Sequence, residues 1–213
     1  MDTRRAESFS DGVFAVAITV LVFNLLSIGS GGKPLTYRLL LNESWPQYAA
    51  YAIGFLTIGI MWLNHHTMLA HVTRFDRVTL VLNIFLLMGV VAMPFPTALV
   101  ADNLTSAGTG GRVAAVSYGV ASILISLGFS AMWTYVSAHE DALTRLSARV
   151  SWQTRWRFSA GLVGYIIGTL VAAFVSAWAA LVIYGLVAIY YLFEHLPAPD
   201  ATASAAGDAP APD

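Results

Sequence analysis

The stretch "RRAESFSDGVFAVAITVLVF", Arg4–Phe23, joins a charged opening to a run apolar enough to dissolve in lipid, and Asp11 stands at the junction. Whether this run is a cleaved leader or a lasting membrane helix decides the fold. A secretory leader begins with an unbroken basic region; here Glu7 and Asp11 interrupt it, and five further apolar segments follow. The run is therefore read as the first of several membrane helices.

Composition agrees. The 213 residues are 57% hydrophobic and 11% charged, against about 25% charged in an ordinary soluble domain, and mean hydropathy is +0.68. A net charge of -1 offers no basic surface for nucleic acid. The absence of cysteine excludes disulfides, thiolate metal sites and cysteine nucleophiles. The basic residues are arginine except Lys33, and alanine is abundant, a bias in keeping with a bacterial source.

A hydrocarbon layer needs about 20 apolar residues of helix. Six segments approach this: Ser10–Ile28, Tyr48–Leu69, Leu80–Val100, Val113–Val136, Phe158–Val175 and Ala177–Phe193. The expected fold is an all-α, multi-pass membrane protein with six transmembrane helices. The last two are joined so tightly that they should form a hairpin. Arginine and lysine are retained on the cytoplasmic face. Placing both termini there puts Arg4, Arg5, Arg74, Arg77, Arg145, Arg149, Arg155 and Arg157 inside, and only Lys33, Arg38 and Arg112 outside. This orientation suits a plasma membrane. Residues 1–196 are expected to form the membrane domain, and 197–213, rich in Pro, Ala and Asp, a disordered cytoplasmic tail. Two glycosylation sequons, at Asn42 and Asn103, have no meaning in a bacterial chain.

An ionisable residue entering a membrane needs partners. Asp11 could simply cap a helix with Ser8 and Ser10. The second and third segments, however, place Trp62, His65, His66 and Asn83 near the same membrane face. A network of Arg5, Ser10 and Asp11 with His65 or His66 and Asn83 would latch the first three helices together. Further along the first helix, Gly12, Val16, Thr19, Val20 and Phe23 fall on one uncharged stripe at about 100° per residue. Such a stripe serves either as a seam between helices or as a ring of pore-lining residues, since apolar constrictions gate by losing water. On periodicity alone the plain seam is the favoured reading.

Arg5-Ala6-Glu7-Ser8-Phe9-Ser10-Asp11 fits an R-x-x-x-F-S-D pattern, and the following "GVFAVAIT", Trp62-x-x-His65-His66, Asn83 and "PFPTAL" at Pro94–Leu99 accompany it. In these features the chain resembles the prokaryotic branch of the endolysosomal potassium channel family, transmembrane protein 175. The resemblance implies a homotetramer of six-helix subunits without a re-entrant pore loop, consistent with the lack of a T-V-G-Y-G filter. It also implies a potassium-permeable cation channel, admitting other monovalent cations less readily, whose gate and pore lining are Val16, Thr19, Val20 and Phe23. Potassium would be the permeant, held transiently near Thr19, with no cofactor and no bound metal. Phe9 and Trp62 join Arg5, Ser10, Asp11, His65, His66 and Asn83 as structural residues. The family commonly has Ile or Leu where Val16 stands, which leaves Val16 or Phe23 as the narrowest ring. The later helices carry no motif of this kind.

Other classes compete. Proton-coupled carriers usually carry midplane acids, but the Asp and Glu residues here lie at helix ends, in loops or in the tail. Neither H-E-x-x-H nor G-x-S-x-G is present, so no enzyme is indicated. A non-conducting scaffold would share the packing glycines Gly161, Gly164 and Gly168.

Overall fold

In a computed structural model, residues 3–28, 34, 36–105, 109–139 and 148–193 are described, those at 27 and 148–159 by backbone alone. The expected tail, 197–213, and the side chains of Arg145, Arg149, Arg155 and Arg157 lie outside the described set. The described elements are helical. They are α1 (Thr3–Val20), a 3₁₀ continuation (Leu21–Ser27), a π turn (Leu39–Glu43), α2 (Trp45–Ala70), α3 (Arg77–Ala92), α4 (Pro94–Asn103), α5 (Gly110–Ala138), α6 (Ala148–Phe174) and α7 (Ala177–Phe193).

Three continuous stretches, Thr3–Leu26, Arg77–Asn103 and Gly110–Ala138, are long and apolar enough to cross a membrane. Ala160–Phe174 and Ala177–Phe193 are shorter apolar helices. With the relatives reported below, this makes a multi-pass membrane protein. Helix α2 is 26 residues long but carries Asn64, His65 and His66 in its last third and is not among the three.

Helix ends follow local chemistry. Pro46 opens α2, where a missing N–H costs nothing. Asp76 caps α3: its Oδ1 accepts from the Thr79 backbone N–H at 2.8 Å and from the Thr79 hydroxyl at 2.7 Å. Its Oδ2 accepts from the Tyr135 hydroxyl at 2.5 Å, tying the start of α3 to the end of α5. The sequence reading ran one helix through Leu80–Val100. That segment lies within the single apolar stretch Arg77–Asn103, which is interrupted at Met93 because Pro94 and Pro96 have no N–H to extend the α3 ladder, so α4 starts there.

Helix α5 is the central element, packed on α3 and α4 along one flank and on α6 and α7 along the other. Where α3 crosses α5, a Cβ on Gly128 would lie 3.1 Å from the Leu86 Cα, so the two backbones meet almost directly. The first helix packs on α2 and α3. At the α6–α7 turn, the backbone N–H groups of Val175 and Ser176 both donate to Val171 O at 2.9 Å, closing the expected hairpin.

Candidate functional site: the first helix and its anchor

Helix α1 has two faces. Ala6, Ser10, Phe14 and Ala17 are buried, and Leu21 continues the row into the 3₁₀ segment. These positions repeat every three or four residues, the spacing of one helical face. The serine in this apolar row is fully buried, and its hydroxyl donates to Ala6 O at 2.8 Å.

Around it stands a directional chain of hydrogen bonds. The Asn83 side-chain amide donates to the Ser10 hydroxyl at 3.0 Å, and the Asn83 carbonyl oxygen pairs with His65 Nε2 at 2.8 Å. Since that oxygen can only accept, the imidazole proton sits on Nε2. His65 and Asn83 are 1% and 2% exposed, so α1, α2 and α3 are joined by bonds shielded from water. The ring of Phe14 packs on His65, with centroids 5.3 Å apart, and seals the junction.

A second, shallower branch lies beside it. The Trp62 indole N–H donates to Asp11 Oδ1 at 2.8 Å. Trp62 stacks on His66, and His66 Nδ1 lies 3.2 Å from a Glu7 carboxylate oxygen. His66 and Glu7 are substantially exposed, and such a pair is worth only about 0–1 kcal/mol. The polar residues picked from the sequence are thus divided: Ser10, His65 and Asn83 meet in one place, and Asp11, Trp62 and His66 in another. Arg5 and Phe9 join neither. Each is one position away from the buried Ala6–Ser10 row, so each is turned outward. Arg5 is exposed and makes no hydrogen bond or ion pair among the described residues, and Phe9 is 58% exposed. Glu7 was not picked as a site residue; its spacing of three from Ser10 on α1 was the available signal.

The opposite face of α1 is left uncovered by its own subunit. Val16 is 56% exposed, Val20 36% and Phe23 61%, with Gly12 and Thr19 also exposed. The exposed Thr19 hydroxyl donates to Val16 O at 2.8 Å. Beyond Val20 the winding changes. In a 3₁₀ helix residues three apart eclipse one another, so Val20, Phe23 and Leu26 line up, and Leu26 is 67% exposed. Leu26 was not among the stripe residues read from an α-helical wheel. A shallow groove lined by Phe9, Gly12 and Val16 runs along this face against Val91 of α3. Among the described residues no three His, Cys, Asp or Glu side chains stand together as a metal site would need.

Residues 5–94, which contain all of this junction, match the sequence profile of the family described as endosomal/lysosomal potassium channel TMEM175. A potassium channel of Streptomyces collinus is 40% identical over 205 residues, covering 96% of this chain and 98% of the relative. One from Chamaesiphon minutus is 34% identical over 195 residues, covering 89% and 93% respectively. The crystal structure of a lysosomal potassium-selective channel TMEM175 homolog from Chamaesiphon minutus superposes with a TM-score of 0.74 at 31% identity, covering 89% of this chain and 96% of that one. The likeness runs nearly end to end in sequence and in fold, and on it the chain belongs to the TMEM175 family.

Proposed function

We propose that this protein is a potassium-permeable cation channel of a bacterial plasma membrane. The assembly is a homotetramer of six-span subunits with both termini cytoplasmic and no re-entrant loop. Four copies of α1 surround the conduction path. Val16, Val20 and Phe23 form apolar rings, Thr19 supplies a layer of hydroxyl oxygens that takes part of the water shell of potassium, and Leu26 adds an outer ring. Other monovalent cations pass less readily, and no cofactor takes part. Ser10, His65 and Asn83, with Asp11 and Trp62, fix the angle of α1. Arg5, Phe9 and His66 act around this anchor.

The observation that carries this reading is the contrast on α1: one face is pinned by buried hydrogen bonds, and the other presents an apolar stripe with one hydroxyl layer to the outside of its subunit. The full-length likeness to two bacterial proteins named as potassium channels supports it.

Liposome flux of purified protein tests the proposal. An apolar ring resists ions because it holds little water, and a hydrogen-bonding side chain lowers that barrier. Val16→Asn is expected to raise potassium flux without an imposed proton gradient, whereas Val182→Asn, on an exposed position of α7, affects folding alone. The chain has no native cysteine, so single cysteines can report water access. Unreactive cysteines at positions 16, 19, 20 and 23 in a conducting preparation would remove α1 from the path, and flux that requires a proton gradient would make the protein a carrier.

A further inference from the structure

Away from α1, the bundle encloses a cavity of about 40 Å³ among α2, α5, α6 and α7. That exceeds the roughly 10–15 Å³ a single water needs. The wall is largely apolar, with Ile60, Met61, Phe129 and Ala188 contributing. Polar side chains interrupt it: Asn64, which donates to Ile60 O at 2.8 Å, Tyr191, whose hydroxyl accepts from the Gly161 N–H at 3.1 Å, and the hydroxyls of Thr57, Ser126 and Tyr165, which are 6%, 7% and 5% exposed.

Some hydroxyls on neighbouring turns are used up locally, although Ser130 Oγ, one turn past Ser126, is buried without a partner among the described residues. Ser122 donates to Tyr118 O at 2.9 Å and Thr169 to Tyr165 O at 2.7 Å. Ser126 and Tyr165 behave differently: among the described residues neither hydroxyl makes a hydrogen bond. Thr57 accepts only a long bond, 3.4 Å, from the Tyr118 hydroxyl. Buried polar groups are nearly always satisfied, so hydroxyls left open toward a cavity mark where a ligand atom completes them. Toward the flank between α2 and α7 the lining residues Ile60, Asn64, Ala188 and Tyr191 are partly exposed. Asn64 Nδ2 spans this flank to Tyr191 O at a long 3.4 Å, which makes it the least tightly closed side of the cavity.

We propose that the cavity binds a short-chain alcohol, or a neutral molecule of that chemistry, taken from the membrane. Its hydroxyl pairs with Ser126 and Tyr165, and its alkyl chain lies along Met61, Phe129 and Ala188 toward the α2–α7 flank. No charged side chain lines the cavity, so an ion would be buried without a partner. The volume excludes a sterol or a whole lipid. Water alone would satisfy the hydroxyls but leave the apolar wall wet.

Photolabelling of the full chain in lipid nanodiscs with a diazirine-bearing butanol, read by mass spectrometry, tests this. Label is expected at Met61, Ala188 or Tyr191, and excess 1-butanol should compete it away. In the double variant Ser126→Ala, Tyr165→Phe, 1-butanol should lose potency as competitor by about fivefold for each hydrogen bond removed, while pentane, which uses the apolar wall alone, keeps its potency. Ala188→Leu, which fills the cavity, should abolish the label. Label confined to outward positions such as Val182 and insensitive to 1-butanol would overturn the proposal. An unchanged potency of 1-butanol in the double variant would do the same, and complete absence of label would leave a cavity that holds water only. Should Ala188→Leu fail to fold, wild-type competition and the double variant still decide.

Discussion

The α1–α2–α3 junction and the α6–α7 hairpin solve the same problem, holding apolar helices together, by opposite means. The first uses directional bonds: Ser10, Asn83 and His65 each have one geometry in which their donors and acceptors match. The second relies mainly on shape, with two longer bonds across it: the Gly161 N–H donates to the Tyr191 hydroxyl at 3.1 Å and the Tyr184 hydroxyl to Thr169 Oγ1 at 3.3 Å. On α6, Gly161, Gly164 and Gly168 leave room for Tyr191, Val187 and Tyr184 of α7; a Cβ on Gly164 would lie 2.6 Å from a Val187 methyl group, and Cβ atoms on the other two would overlap the tyrosine rings. Between helices in lipid there is no hydrophobic drive, so close approach and hydrogen bonds are what remain. Bonds select the partner and the register. Glycine steps set only the distance. It is the junction with a selected register that orients the candidate pore stripe.

This contrast can be broken at either junction. The largest effect is expected in the hairpin: Gly168→Leu drives a side chain into the Tyr184 ring, itself tied to Ala115 O at 3.1 Å. Overpacking without room to yield costs about 3 kcal/mol, and the variant should fail to yield folded protein by size-exclusion chromatography in detergent. Next comes Asn83→Leu. It leaves the buried His65 Nε2–H without its acceptor and removes the donor to Ser10, whose hydroxyl keeps its bond to Ala6 O, a loss of about 2 kcal/mol, read as a lower thermal midpoint. If Asn83→Leu is silent while Gly168→Leu is lethal, shape holds both junctions and the contrast is wrong. Asp11→Asn is milder, because the new amide oxygen still accepts from Trp62 and only charge assistance is lost, about 1 kcal/mol. It should lower thermal stability more than it changes ion preference in bi-ionic recordings.

The smallest effect lies at the α3 cap. Partial burial pushes the Asp76 carboxyl up, but the bonds from Tyr135 and Thr79, and the nearby His139, outweigh it and lower its pKa from 3.8 to about 2. A carboxyl whose folded value is depressed contributes stability above its unfolded value, and that contribution fades as pH falls through the folded one. The window is therefore about pH 4 down to 2. Tyr135→Phe removes one of these bonds, moves the folded value back toward 3.8 and should flatten the loss of stability across this window in thermal melts.

Much of the anchor was legible because it is chemically loud. A serine, an aspartate, two histidines and an asparagine in otherwise apolar segments must find one another or lose hydrogen bonds, and that requirement alone brings Ser10, His65 and Asn83 together. How they divide is not legible. One helical step, about 100°, decides whether a side chain faces the core or the outside, so Arg5 and Phe9 leave the network while Ala6 and Ser10 stay. The break before Pro94 was signalled by two prolines but hidden under continuous hydropathy. The winding change at Leu21 has no signal of that kind, since Leu-Val-Phe-Asn-Leu-Leu suits either helix. The hydroxyls around the second cavity were invisible too, because Ser126 and Tyr165 look in sequence like any small or aromatic residue on an apolar helix.

The 3₁₀ segment also works as a ruler. From Gly12 to Ile28 the apolar part of the first helix would reach only about 25 Å at the α-helical rise, short of a hydrocarbon layer of about 30 Å. Winding Leu21–Ser27 at roughly 2 Å per residue stretches that reach to about 29 Å without adding a residue. The same seven positions thus lengthen the apolar part of the first helix toward the thickness of a hydrocarbon layer, and a thinner bilayer would favour the shorter, wider winding at this end of the helix.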